Sequence, residues 1–136
     1  MYVIVIGCGR AGAEIAKRLC EADHSVVVID NDSHAFERLP KDFAGTTIVG
    51  HAIDQEVLES AGISSANTVI ATTYGDNSNL TAVQIAKRLY DVPRTIARVK
   101  DPIRAAVFAE MGIETICSTE VIADAFTATL TNSSEG

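Results

Sequence analysis

An α/β domain, in which six parallel strands form one doubly wound sheet with helices on both faces, is the fold class that this sequence predicts. Six short apolar runs rich in valine and isoleucine alternate along the 136 residues with segments of helical periodicity. That alternation is typical of a parallel sheet covered on both faces. A glycine-rich turn joins the first strand to the first helix, and the second strand ends in the acid Asp30.

The predicted strands are short apolar runs that end at turn residues. Gly7 closes the first strand, Asp30 ends the second and Gly50 closes the third. Pro93 separates the fourth helix from the fifth strand, since proline disfavours both a continuing helix and a central ladder position. We predict strands at 2–6, 25–30, 46–49, 68–72, 95–99 and 113–117.

The predicted helices carry start and stop signals. Asp54 is a plausible N-cap, Pro102 suits the first position of a helix, and Pro40 ends a short helix at the preceding residue. Gly112 follows the last periodic residue of the fifth helix. We predict helices at about 10–22, 33–39, 54–61, 80–90, 102–111 and 121–130, a polar loop at 75–79, and a polar, mobile tail at 131–136.

The glycine turn has the pattern G-x-G-x-x-G, from Gly7 to Gly12, and Asp30 follows Gly12 at the spacing of a dinucleotide-binding fingerprint. Gly7 lets the chain turn off the strand, Gly9 lets backbone approach a pyrophosphate, and Gly12 lets the helix pack on the strands. The N–H groups at the helix start bind phosphate oxygens. The Asp30 carboxylate accepts both ribose hydroxyls and repels a 2′-phosphate, which favours NAD(H) over NADP(H), as does the lack of a basic residue next to it. The alternative for Asp30 is a turn residue at a strand end.

Six strands complete a Rossmann unit, with the expected order 3-2-1-4-5-6. After the sixth strand only about twenty residues remain, too few for a catalytic domain, and no catalytic or metal-ligand pattern is present. We therefore expect a nucleotide-binding module that is not an enzyme. The alternative is the cofactor domain of an NAD-dependent oxidoreductase that lacks its substrate domain.

The bulk composition narrows the class further. A net charge of −7 argues against nucleic acid as a partner, and no apolar run is long enough to cross a membrane. The first strand starts at Tyr2, so we expect no signal peptide. Three cysteines, an odd number, suggest free thiols in a reducing cytoplasm.

Further stretches make the pattern more specific than the glycine turn alone, namely 1–10, 50–54, 57–63, 76–80, 96–99 and 112–114. With them, residues 1 to about 123 resemble the N-terminal nucleotide-binding domain of RCK proteins, also called the KTN or TrkA-N domain. The resemblance implies a regulatory subunit or domain that gates a bacterial potassium uptake transporter or channel. It implies NAD(H) as the ligand, with ATP, ADP or AMP as alternatives. It also implies a homodimer that builds larger rings, in the cytoplasm, at the inner face of the membrane through its membrane-embedded partner.

The resemblance also assigns roles by position. It places phosphates at Gly7, Cys8, Gly9, Arg10, Ala11 and Gly12, the ribose at Asp30 and Asn31, the adenine at His51 and Ala52, the middle of the nucleotide at Thr72, Thr73 and Tyr74, and ligand or a partner carboxylate at Arg98. A solvated helix start is the alternative for Arg10, and a buried ion pair is the alternative for Arg98. His51 stands where the family usually has Asp, Gly75 where an acid is common, and Thr119 where Pro is usual.

Two further features have competing interpretations. Cys8 lies at a helix N-terminus, where a thiolate is stabilised, so it is either a redox sensor or a small residue that the turn requires. The last helix carries an apolar stripe that includes Ile122 and Phe126. We divide the chain into a nucleotide-binding domain at 1–118, a dimerisation or crossover helix at 119–130 and the tail at 131–136. The alternative is that the last helix folds back on its own domain.

Overall fold

In the computed structural model, which describes residues 1–135 and side chains as far as residue 132, six parallel strands form one sheet. Its order, β3-β2-β1-β4-β5-β6, confirms the predicted doubly wound topology. The strands are β1 (Tyr2–Ile6), β2 (Ser25–Asp30), β3 (Thr46–Val49), β4 (Thr68–Ala71), β5 (Arg94–Val99) and β6 (Thr115–Cys117).

Helices cover both faces of this sheet. They are α1 (Arg10–Glu21), α2 (Gln55–Ser60), α3 (Asp76–Tyr90) and α4 (Pro102–Glu110), with 3-10 turns at Ser33–Arg38 and Ile63–Ser65. A further helix, α5 (Ser118–Glu135), follows β6. Because side chains alternate along a strand, Val3 and Val5 of β1 face the core under α1 while Ile4 and Ile6 face the core under α2 and α3. These four side chains are at most 1% exposed, as expected for a strand buried on both faces.

The register of the sheet brings three strand ends together. Ile6, the last residue of β1, is level with Ile29 in β2 on one side and with Ala71 in β4 on the other. The chain leaves β1 at the point where the strand order reverses, and ligands of doubly wound sheets bind in the crevice at that point.

Helix α3 begins at Asp76, four residues before the predicted start, so the expected loop at 75–79 is largely helical. The Asp76 carboxylate accepts the main-chain N–H of Lys100 at 2.8 Å and of Asp101 at 3.2 Å. The Asn79 amide donates to the carbonyls of Thr73 and Arg98. Polar residues that look like loop formers are stable in this first turn because tertiary partners satisfy them.

Helix α5 differs from the prediction at both ends, since it begins at Ser118 and continues to Glu135 rather than spanning 121–130. Residues 131–135, expected to be a tail, are therefore helical, while Gly136 lies outside the described residues. Threonine hydroxyls bond main-chain carbonyls one turn back, such as Thr127 to Ala123 at 2.9 Å, so these side-chain donors are satisfied within the helix itself. Every described side chain from Glu120 onward is exposed, including Phe126 at 69%, so α5 does not fold back onto its own domain.

Candidate functional site

A cleft of about 950 Å³ lies at the carboxyl ends of the strands, which is large enough for a nucleotide. The predicted site residues on its walls are Gly7, Cys8, Gly9, Arg10, Ala11, Asp30, Asn31, His51, Ala52, Thr72, Thr73, Tyr74 and Arg98. Gly12 is buried behind the turn rather than on the wall. The structure thus gathers residues from five strand ends that are up to 91 positions apart in the chain, from Gly7 to Arg98.

The structure gives a different reason for glycine at each of the three positions of the turn. Gly7 has φ +99°, which L side chains rarely adopt, and its N–H donates to the Ile29 carbonyl at 2.8 Å. At Gly12, a Cβ would overlap the Gly7 carbonyl oxygen and lie 2.8 Å from Thr72 Oγ1. At Gly9, a Cβ would meet nothing within 4 Å among the described residues. The fold therefore requires Gly7 and Gly12, whereas the space over Gly9 is open to a ligand.

Thr72 supports the turn from below. Its side chain is 7% exposed, and Oγ1 lies 3.1 Å from the Ile6 carbonyl oxygen and 3.2 Å from that of Gly7. The single hydroxyl proton therefore has carbonyl partners within the protein, and the hydroxyl holds the glycine turn in place. Contact of Thr72 with a nucleotide stays a prediction.

The Asp30 carboxylate is already bound to the turn in this structure. Its two oxygens accept the main-chain N–H of Cys8 at 2.8 Å and of Asp32 at 2.9 Å. Each carboxylate oxygen has a second lone pair, so both remain able to accept ribose hydroxyls. The two interpretations of Asp30, turn residue and ribose acceptor, are thus compatible.

Arg38 is a wall residue that sequence analysis missed. It ends the 3-10 turn Ser33–Arg38 and its guanidinium donates to the Cys8 carbonyl at a long 3.5 Å. The prediction that NAD(H) is preferred over NADP(H) rested on Asp30 and on the lack of a basic residue next to it. Arg38, eight positions after Asp30, brings a basic residue to the same cleft although none is adjacent to Asp30 in the sequence, and the preference for NAD(H) stays a prediction. A search for basic residues along the helix after β2 would have found Arg38.

Cys8 is fully buried beneath the turn. Burial raises the pKa of its thiol, and the Asp30 carboxylate raises it further, whereas Arg38 lowers it. The helix N-terminus therefore does not produce a reactive thiolate here, and the structure favours the interpretation of Cys8 as a small residue that the turn requires.

The ends of β4 and β5 form the opposite wall. Tyr74 is 80% exposed, and Lys100, also missed from the sequence, lies over its ring at 4.1 Å from the centroid. Arg98 forms no ion pair with the residues that the structure describes, so the buried ion pair proposed as its alternative is not formed. Tyr74 and Arg98 therefore line this wall, and Lys100 lies against the Tyr74 ring.

At the end of β3, Gly50 donates its N–H to the Asp30 carbonyl at 3.0 Å, which places His51 and Ala52 beside Asp30. A Cβ at Gly50 would lie 2.5 Å from a methyl group of Val57, so this strand end packs closely on α2. The His51 ring is exposed and its backbone carbonyl accepts the N–H of Asp54 at 3.1 Å.

Among the side chains that the structure describes, no group of His, Cys, Asp or Glu has the arrangement of a metal site. Within residues 1–135 there is no helix that is both long and apolar enough to span a membrane.

A family model for the TrkA-N domain matches residues 3–119 of the chain, which is most of its length. The chain belongs to the TrkA-N family. The resemblance, which was based on the glycine turn and the further matching stretches, is confirmed.

Relatives of this TrkA-N domain are potassium uptake proteins. The Trk system potassium uptake protein TrkA of Streptomyces coelicolor is 39% identical over 124 residues, covering 91% of this chain and 56% of the relative. A TrkA homolog of Methanothermobacter thermautotrophicus is 34% identical over 120 residues, covering 88% and 55%. The chain therefore spans about half the length of these curated relatives.

Solved structures share the fold of this TrkA-N domain. The TrkA-N domain of the inner membrane protein ybaL from Escherichia coli gives a TM-score of 0.84 at 22% identity and covers 95% of this chain and 96% of its own. The GsuK channel bound to NAD gives 0.70 at 20% identity, covering 85% and 21%. The Kef CTD of Shewanella denitrificans in an AMP-bound form gives 0.78 at 21% identity, covering 95% and 82%.

Proposed function

We propose that this TrkA-N domain binds NAD(H), ATP, ADP or AMP in the cleft and thereby regulates a potassium uptake transporter or channel. The observation that carries the proposal is the meeting of the glycine turn, the start of α1 and the Asp30 carboxylate at one strand edge, in a chain whose relatives are potassium uptake proteins. The relatives are named as potassium uptake proteins. In this proposal, nucleotide binding in the cleft controls the transporter or channel.

The walls of the cleft suit the parts of an adenine nucleotide. The N–H groups at the start of α1 and the guanidinium of Arg10 suit the phosphates, because a helix N-terminus attracts anions. Asp30 suits the ribose, with Asn31 beside it, and His51 and Ala52 suit the two sides of the adenine. Structures with this fold contain NAD in one case and AMP in another, which supports both classes of ligand.

The exposed apolar face of α5 supports assembly of two copies. Val121, Ile122 and Phe126 are each more than half exposed, and such a stripe needs a partner surface. In this proposal α5 packs across a two-fold axis in a homodimer, which builds larger rings beneath a membrane-embedded partner in the cytoplasm. The control mechanism is a shift in population, because a nucleotide that binds one arrangement of subunits better will favour that arrangement.

The proposal makes the chain a regulator rather than an enzyme. In Rossmann enzymes the protein must orient a substrate and supply acid–base groups against the nicotinamide. We therefore expect no oxidation of NADH by the purified chain with a panel of keto acids and aldehydes. Turnover that depends on one of these substrates would instead favour the oxidoreductase alternative.

The decisive experiment combines binding and transport. Titration calorimetry of the purified chain with each nucleotide measures binding directly. In the organism that carries the gene, we expect deletion to change the rate of rubidium uptake, and expression of the unaltered protein to restore it. A Gly9→Ala protein, which we expect to fold but not to bind a phosphate, should fail to restore it. Unchanged uptake on deletion, or full restoration by the variant, would refute the regulatory role.

A further inference from the structure

Asn79, in the first turn of α3, has a side chain that the binding proposal leaves unexplained. It is 1% exposed and does not line the cleft. Its Oδ1 accepts the Thr73 N–H at 2.8 Å and the Thr73 hydroxyl at 2.6 Å, while its Nδ2 donates to the carbonyls of Thr73 and Arg98, each at 2.9 Å. A buried amide with both ends bonded in this way fixes the groups that it touches.

The groups that Asn79 touches are walls of the cleft. Thr73 follows the end of β4, and Arg98 lies near the end of β5. Both the N–H and the C=O of Thr73 are bonded to this one side chain, just where the chain has left the sheet ladder. Asn79 therefore joins Thr73, which has left the ladder of β4, to Arg98 in β5.

The sheet order divides the cleft into two halves. Strands β2 and β3, with Asp30 and His51 at their ends, lie on one side of β1, and strands β4 and β5 lie on the other. A nucleotide whose ribose is bound at Asp30 has its phosphates at the glycine turn between the halves. AMP ends there, whereas a dinucleotide continues over β4 and β5.

We propose that Asn79 is a positioning residue for the distal half of the cleft, and that it selects for ligands with a second nucleoside. This inference rests on the proposed nucleotide binding at the same site. Without the amide, the Thr73 N–H and the two carbonyls lose their buried partner, and the wall that meets the second nucleoside loses its fixed position. The wall that meets adenosine keeps its own supports, which are the bonds of Asp30 to Cys8 and Asp32.

The test compares NADH with AMP by titration calorimetry on the full chain. Asn79→Ala removes the amide, and Asn79→Asp keeps the shape and the acceptor oxygen but replaces the Nδ2 donor with an oxygen that faces two carbonyls. We expect both variants to weaken NADH binding by at least about tenfold and to change AMP binding by less than about threefold. Asn77→Ala is the matched control, since its side chain lies in the same turn but bonds the exposed Arg104 at 2.8 Å.

Each outcome has a defined meaning. Equal weakening of NADH and AMP indicates general loosening of the domain and overturns the positioning role, as does unchanged NADH binding. If Asn79→Ala fails to fold, Asn79→Asp provides the same comparison, with AMP binding as the internal check on folding. An unaltered chain that binds AMP but not NADH overturns this inference and leaves the proposed function standing. A chain that binds neither overturns both.

Discussion

Gly9→Ala should impair nucleotide binding and leave the fold intact, whereas Gly12→Ala should destabilise the fold, although both glycines belong to one motif. A methyl group at Gly12 would overlap the Gly7 carbonyl oxygen and lie within 2.9 Å of the Gly7 carbonyl carbon, and main-chain atoms do not move aside cheaply. A methyl group at Gly9 would lie in open space, and Gly9 has φ −73°, which alanine adopts readily. The first substitution strains the fold, and the second occupies only the space where a phosphate would lie.

The magnitudes follow from these contacts. Overpacking of a closed contact costs about 1–3 kcal/mol, which lowers the Tm of a domain of this size by roughly 3–10 °C. For Gly9→Ala the loss of a favourable N-cap residue and the reduced entropy of the unfolded chain nearly cancel, so we expect a change within about 0.5 kcal/mol. Its effect falls on binding, where a methyl group between backbone and pyrophosphate should raise the Kd for NADH and ATP at least tenfold, or about 1.4 kcal/mol.

The assay is thermal unfolding by circular dichroism, followed by calorimetry on each variant at a temperature where it is folded. A Gly9→Ala protein that melts at the same low temperature as Gly12→Ala would show that Gly9 supports the fold. A Gly9→Ala protein that binds nucleotides normally would show that no phosphate approaches the turn. Either result would refute the division of roles within the motif.

Three further predictions concern other parts of the molecule. Asp30→Asn should weaken NAD(H) binding by about 1–3 kcal/mol in calorimetry, because the charged acceptor for the ribose and for the Cys8 N–H is lost. Equal affinity of NADH and NADPH for the unaltered chain would contradict the role of Asp30. Ile122→Asp combined with Phe126→Asp should yield monomers in light scattering that still bind nucleotide, whereas a monomeric unaltered chain at micromolar concentration would rule out the α5 dimer. The bidentate hydrogen bond from Arg94 lowers the pKa of Glu114, so this exposed pair stabilises the fold above the ordinary pKa of glutamate and stops doing so as the pH falls through the lowered pKa. Arg94→Met should therefore reduce the Tm slightly at neutral pH and not at acidic pH, and a difference that grows on acidification would show the reverse linkage.

The sheet and most of the cleft were predictable because their determinants are local. The alternation of apolar runs and helical segments implies a parallel sheet, and the right-handed crossover rule then leaves few possible orders. The positive φ of Gly7 and the close packing of Gly12 follow from the spacing of the motif. The carboxyl ends of parallel strands share one edge of the sheet, so residues such as Asp30 and Thr73 had to lie along that edge.

What sequence analysis missed depends on contacts between distant segments. Asparagine is a typical loop residue, so the sequence predicts a polar loop at Asn79. In the structure Asn79 lies in a helix, and its amide is satisfied by Thr73 and Arg98. Arg38 and Lys100 reach the site with long side chains from positions outside any motif. The length of α5 was underestimated because its threonines and asparagine have low helix propensity, and the hydroxyl bonds to preceding carbonyls are not visible in a composition.

The contacts of Lys100 with Tyr74 and Thr119 connect the nucleotide cleft with the start of α5. In the proposed binding mode, any ligand with an adenosine monophosphate unit makes similar contacts with Asp30 and the glycine turn, and a ligand shifts an equilibrium only by its difference in affinity for two states. In that mode a difference between NADH and AMP arises at the distal wall, where Lys100 lies over the Tyr74 ring. The Lys100 carbonyl accepts the Thr119 hydroxyl at 2.7 Å at the start of α5. Lys100 thus connects the distal wall with the first turn of the helix proposed to join two subunits.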